Sequence, residues 1–224
     1  MKNIKSILCY GDSNTYGYRP DGKGRYSQNV RWTGILQNRM GKGYHILEEG
    51  CCGRTTVLDD PKRPYKNGQE FLLPALEIHS PVELIILMLG TNDCKWTYQQ
   101  TAEQIGEGIK TLIEIIKGNP KSNGGREPKI LLVSPIHLKE SVWKEQLDLD
   151  FNKKSVEVSR QLEMVYGEIA KQYDCDFFPA SNIAEASDID GEHLDEIGHK
   201  KLAEALKKIV ANILIDIPCY IQVG

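Results

Sequence analysis

Ser6-Ile7-Leu8-Cys9-Tyr10-Gly11-Asp12-Ser13-Asn14-Thr15-Tyr16-Gly17 is the stretch whose reading decides the fold. Ser6 to Tyr10 is a short, nearly continuous apolar run, the pattern of a strand buried on both faces rather than of an alternating, half-exposed one. Gly11 and Asp12 end it with turn-forming residues. Four more runs of the same kind follow: Tyr44 to Glu48, Val82 to Leu89, Lys129 to Val133 and Cys175 to Phe178. Between and after them lie helical patterns. Ala102, Ile105, Ile109, Leu112, Ile113 and Ile116 share one face of the stretch from Thr101 to Lys117. Val158, Leu162, Val165, Tyr166, Ile169 and Tyr173 share another, and Leu202, Ala205, Leu206, Ile209 and Ile213 a third. Strands alternating with amphipathic helices imply a parallel sheet covered on both sides, so the expected fold class is α/β, a three-layer α/β/α sandwich on a five-stranded parallel sheet. In such sheets ligands collect at the carboxyl ends of the strands, where loops and helix N-termini converge.

The 224 residues suit one domain, 1–224, with a real hydrophobic core. Charged residues make up 26% and hydrophobic ones 40%, and the formal net charge is −3. That balance carries no basic field for nucleic acid, so no nucleic-acid partner is expected. The start, from Met1 to Lys5, passes into the first strand without the apolar run of a secretory signal, and no run approaches the roughly 20 apolar residues of a membrane span. The six cysteines (Cys9, Cys51, Cys52, Cys94, Cys175 and Cys219) include no Cys-x-x-Cys and read as reduced thiols. A cytoplasmic protein without membrane contact is expected. Gly118 to Pro128 reads as a polar surface loop, and Ile136 to Asn152 as a long connection able to overhang the site.

The chemistry-bearing residues follow the strands. Ser13 stands at the carboxyl edge of the first strand. A serine hydroxyl needs a base, commonly histidine, and a third group to orient the imidazole. Taken alone, Gly11-Asp12-Ser13-Asn14 is equally a strand-to-helix turn with its N-cap. Far along the chain, Asp190-Gly191-Glu192-His193 precedes the last helix, and its spacing lets a carboxylate reach Nδ1 of the same imidazole while Nε2 faces a serine. A turn aspartate and a helix-start histidine would read the same way. After the second and third strands come Glu48-Glu49-Gly50-Cys51-Cys52-Gly53-Arg54 and Gly90-Thr91-Asn92-Asp93. Gly53, through its backbone N–H, and Asn92, through its side chain, suit donors aimed at an oxyanion, and each also suits a turn. All four segments fall on one edge of the expected sheet.

Gly11-Asp12-Ser13, the segment around Gly50 and Gly53, Gly90-Thr91-Asn92-Asp93 and Asp190-x-x-His193 resemble, in order, the four blocks of the SGNH/GDSL hydrolase superfamily, over nearly the whole chain. The resemblance implies the flavodoxin-like SGNH hydrolase fold. It implies Ser13 as nucleophile and first oxyanion donor, Gly53 and Asn92 as the other donors, and Asp190 with His193 as the rest of a triad. The longer strings Val30-Arg31-Trp32-Thr33-Gly34, Arg54-Thr55-Thr56, Asp59-Asp60-Pro61 and Met88 to Asp93 resemble the bacterial aryl esterase/acyltransferase branch. That branch implies a small-molecule ester substrate, hydrolysis of short-chain esters, acyl transfer to alcohols or peroxide in some members, and homo-oligomers. Two positions depart from the pattern. Asn14 replaces the leucine of the family's name, which leaves the triad untouched, and Gly53 stands where the branch carries alanine, which keeps the N–H and loosens the loop.

Other readings compete. A carbohydrate O-acetyl esterase shares the chemistry, and a non-catalytic α/β binding domain shares the fold. His193 and His199 lie six apart without a His-x-x-x-His pair or a Cys/His cluster, and Gly41-Lys42-Gly43 lacks the spacing of a phosphate or dinucleotide loop, so no metal and no cofactor is expected. Trp32, Trp96, Trp143, Tyr16 and Tyr18 suit either an acyl or aryl pocket or the core. Arg31 and Arg54 are expected to pair with Asp12, Glu48 or Glu49 and hold the loops.

Overall fold

The computed structural model describes residues 4–215. The tail from Asp216 to Gly224, with Cys219, lies outside them. Five strands form one parallel sheet: β1 (Lys5–Gly11), β2 (Tyr44–Gly50), β3 (Leu84–Met88), β4 (Lys129–Ser134) and β5 (Asp176–Pro179). Their order is β2-β1-β3-β4-β5. The five expected runs all become strands, with ends displaced by one or two residues. β1 registers Ile7 against Ile46 on one side and Leu84 on the other. Because β1 is followed by β2 on one flank and β3 on the other, the chain reverses its winding between β1 and β3. A crevice opens there at the carboxyl edge.

Successive side chains of a strand point to opposite faces, and here each face has its own core. Leu8, Tyr10, Ile85, Leu87 and Leu132 meet α3 (Gly68–His79), α4 (Ala102–Gly118) and α6 (Lys153–Gln172). Ile7, Cys9, Leu84, Ile86, Leu131 and Val133 meet α2 (Trp32–Met40) and α7 (Glu196–Ile213). The two short helices α1 (Ser13–Tyr16) and α5 (Ser141–Lys144) lie in the loops above the sheet edge. This is the expected three-layer sandwich. The three amphipathic patterns are α4, α6 and α7. Thr101 caps α4 in a reciprocal box with Gln104, and Asp195 caps α7 through the Gly198 N–H at 2.7 Å.

α2 and α3 lack a clear sequence signal. α2 carries Gly34, and α3 carries Pro74, residues that are poor in a helix interior. They form because tertiary packing overrides propensity: Trp32 and Leu36 of α2 and Leu72 and Leu76 of α3 are fully buried. Among the described residues no helix is long and apolar enough to cross a membrane. Cys9, Cys51, Cys52, Cys94 and Cys175 are free thiols, Cys9 and Cys94 being buried.

Candidate active site

Leaving β1, the chain turns at once into α1. Asp12 caps that helix by accepting the Asn14 N–H at 2.9 Å, and Ser13 is its first residue, where the backbone N–H has no acceptor within the helix. The Gly-Asp-Ser-Asn segment is thus a strand-to-helix turn with Asp12 as its cap, and that turn presents Ser13 at the crevice. Gly50 lets α1 sit this close to β2, since a Cβ there would lie 2.2 Å from the Tyr16 nitrogen.

His193 Nε2 lies 2.9 Å from Ser13 Oγ, and His193 Nδ1 lies 2.7 Å from Asp190 Oδ2. The carboxylate can only accept, so Nδ1 carries the proton and Nε2 is left to accept from the hydroxyl. Asp190 Oδ1 accepts the N–H groups of Glu192 and His193, each at 3.0 Å, so the tight turn itself fixes the carboxylate. Burial opposes charge on the imidazole, but Glu192, Asp190 and Asp12 outweigh it and raise the His193 pKa above its ordinary 6.5.

Asn14 ties this loop to the nucleophile turn. Its Oδ1 accepts the Leu194 N–H at 2.8 Å, and its Nδ2 donates to the Glu192 carbonyl at 3.4 Å, all of it buried. The departure from leucine is thus more than neutral variation: a side chain adjacent to Ser13 holds the backbone on either side of His193. The Lys139 N–H bonds the Gly191 carbonyl at 2.9 Å from the opposite flank.

On the other side of Ser13, Gly53 adopts φ +80°, a conformation that favours glycine, and a Cβ on it would meet the Arg63 guanidinium at 2.9 Å. The loop is braced rather than loosened. Arg54 N bonds the Cys51 carbonyl at 3.0 Å, and the Arg54 guanidinium donates to the Gly11 and Glu49 carbonyls and lies over the Tyr10 ring. Arg54 therefore pairs with carbonyls and an aromatic face and not with a carboxylate, as had been expected of it. Arg31 does form its expected pair, with two bonds to Glu48 at 2.8 and 2.6 Å. Asn92 donates from Nδ2 to the Arg54 carbonyl at 3.2 Å, which orients the amide and leaves its second N–H free. Next to it, buried Asp93 takes both the N–H and the hydroxyl of Thr56, locking the loops after β2 and β3 together.

Ser13, Gly53, Asn92, Asp190 and His193 all line one cleft of about 340 Å³. Its other walls are Tyr18, Pro20, Cys52, Arg63, Lys95, Leu147, Asp148 and Glu192. Of the five aromatics considered from sequence only Tyr18 is there, its ring 4.8 Å from that of His193. Trp32 is buried with Nε1 on the Asn14 carbonyl, Trp143 packs against the α4/α6 core, Tyr16 lies under Arg25, and Trp96 is exposed. Leu147 and Asp148 come from the long connection, which does border the site. Glu192, Arg63 and Lys95 had no assigned place. Only Glu192 carried a hint, by standing between Asp190 and His193.

A serine, histidine and aspartate in hydrogen-bonded sequence at the crevice of this α/β sheet define an esterase-type hydrolase on the SGNH fold. The chain belongs to the GDSL-like Lipase/Acylhydrolase family, whose profile matches residues 9–201. Among solved structures it is similar to the native aryl esterase of M. smegmatis, at 34% identity over 94% of this chain and 100% of that one, with a TM-score of 0.87. It is likewise similar to Est24, a carbohydrate acetylesterase from Sinorhizobium meliloti, at 35% identity over 93% and 99% of the two chains, with a TM-score of 0.86. The lipase/acylhydrolase from Enterococcus faecalis, 16% identical over 93% and 96% with a TM-score of 0.64, shares the fold. No curated protein gives a significant match.

Proposed function

We propose that this protein is a serine esterase for short-chain carboxylic esters, working through an acyl-enzyme on Ser13. The observation that carries the reading is the continuous relay from Ser13 Oγ to His193 Nε2 at 2.9 Å and from Nδ1 to Asp190 at 2.7 Å, at the wall of a cleft that also holds Gly53 and Asn92. Ser13 Oγ bonds to the ester carbonyl carbon while its proton passes to His193 Nε2. The oxyanion is held by the N–H groups of Ser13 and Gly53 and by the free N–H of Asn92. The C–O bond to the alcohol then breaks, and the alcohol leaves with the proton from Nε2. Water attacks the acyl carbon, gives its proton to Nε2, and that proton returns to Ser13 as the acid departs. Asp190 orients the imidazole and stabilises its cation without itself being protonated. An alcohol or peroxide in place of water would make the same intermediate an acyl donor.

The test compares wild type with Ser13→Ala on an aryl acetate and with a fluorophosphonate probe. Wild type is expected to turn over the ester and take the label, and the folded variant to do neither. Turnover by the variant near the wild-type rate would refute the assignment of the nucleophile, and a folded wild type that ignores both reagents would point instead to a non-catalytic binding domain. The carbohydrate O-acetyl esterase reading draws support from one observation, the charged lining of the cleft by Arg63, Lys95, Asp148 and Glu192.

A further inference from the structure

Glu192 stands apart from the rest of this machinery. Its side chain is only 8% exposed, and among the described residues its carboxylate takes part in no hydrogen bond. Among the described residues the one basic group within 4 Å of it is His193, with Oε1 3.8 Å from Nε2, too far for a bond. Glu192 nevertheless lines the cleft that holds Ser13. Burial, acting against the attraction of His193 and Lys95, pushes its carboxyl up to about 7. Neither carboxylate oxygen is closed off from solvent, so both open onto the cleft, where a bound apolar group would strip their water at a cost.

Its position says which part of a substrate would meet it. In the proposed reaction the leaving alcohol must sit against His193 Nε2, because that nitrogen protonates it. An atom 3.8 Å from Nε2 on the cleft wall therefore faces the alcohol and its first substituents, while Gly53 and Asn92 attend to the carbonyl oxygen. A hydroxyl on the carbon beside the ester oxygen can bond to Glu192 in either protonation state, since a carboxylate accepts and a carboxylic acid also donates. An alkyl or aryl group in the same place would leave the buried carboxyl without a partner, which is how a polar site rejects an apolar analogue.

We infer that Glu192 is a substrate-binding residue on the alcohol side of the site and selects esters of hydroxyl-rich alcohols, the polyol and sugar class, over esters of plain alkyl alcohols. The inference rests on the esterase reading above. Its test is the ratio of kcat/KM for glycerol monoacetate to that for propyl acetate, two esters with the same acyl group and the same number of alcohol carbons. The ratio is measured in wild type, Glu192→Gln and Glu192→Leu, with folding checked by thermal unfolding. Any shared effect on His193 cancels in it, and the intrinsic reactivity of the two esters is the same for every variant. Wild type is expected to favour the glycerol ester by roughly tenfold or more, Glu192→Gln to keep most of that preference, and Glu192→Leu to bring it down to within about threefold. A Leu variant that keeps the wild-type ratio, or a wild type that prefers propyl acetate, overturns the role of Glu192 while leaving the esterase reading intact. A folded wild type that hydrolyses neither ester overturns both.

Discussion

Replacing Asn14 by alanine separates the nucleophile turn from the loop that carries the base. The substitution removes the 2.8 Å bond from the Leu194 N–H to Asn14 Oδ1 and the 3.4 Å bond from Asn14 Nδ2 to the Glu192 carbonyl. Leu194 is fully buried, and no other acceptor for its N–H exists among the described residues. Orphaning one buried donor costs about 1–3 kcal/mol, the longer second bond adding little. In a chain of this size each kcal/mol moves Tm by about 2–4 °C, so a fall of roughly 2–12 °C is expected. Activity should fall further than stability, because Leu194 directly follows His193 and an added displacement approaching 1 Å between Nε2 and Ser13 Oγ costs up to about 10²-fold. Calorimetry and steady-state kinetics on an aryl acetate provide the readouts, with the loss expected in kcat rather than KM. The backbone carbonyl of Asn14, which accepts from Trp32 Nε1 at 3.1 Å, is retained, so α2 keeps its anchor. A variant with wild-type Tm and kcat within twofold of wild type would refute the strap.

Three further outcomes follow from the same geometry. Asn92→Ala removes the one side-chain donor facing the expected oxyanion and should lower kcat by about 10²–10³-fold, whereas a loss under about threefold would exclude that role. Gly53→Ala forces a Cβ into φ +80° beneath Arg63, about 1–2 kcal/mol of backbone strain, and should lower Tm by roughly 2–8 °C, with Arg63→Ala relieving the contact but not the strain. The base must be neutral to accept the serine proton, so activity is lost as pH falls through the His193 pKa, which lies above 6.5. Glu192, whose own carboxyl is pushed up to about 7, carries only part of its charge over that limb, so Glu192→Gln should move the acid limb of the kcat/KM profile slightly to lower pH, and an upward shift would contradict the electrostatics.

The strands and the three long amphipathic helices were readable because their periodicity is local: a helix such as α4 shows its buried face within the window of its own residues. α2 and α3 were not, since Gly34 and Pro74 weaken the local signal and only contact with the sheet makes those segments helical. The residues of the candidate relay were readable as motifs, Ser13 at a strand end and Asp190 with His193 just before the last helix. Arg54 was misread because opposite charges nearby in sequence suggested an ion pair, whereas the fold turns its guanidinium onto two carbonyls and Tyr10.

By itself the sequence determined the layer architecture and the edge on which Ser13, Gly53, Asn92, Asp190 and His193 gather, because strand ends in a parallel sheet share one edge whatever the details of packing. The tertiary structure alone decided which imidazole nitrogen meets which oxygen, that Asn14 straps the two loops together, and that Glu192, rather than a tryptophan, lines the cleft beside His193. The contacts from Ser13 and Asn14 join segments 180 residues apart, and no local pattern encodes the direction in which a side chain points once both faces of the sheet have packed.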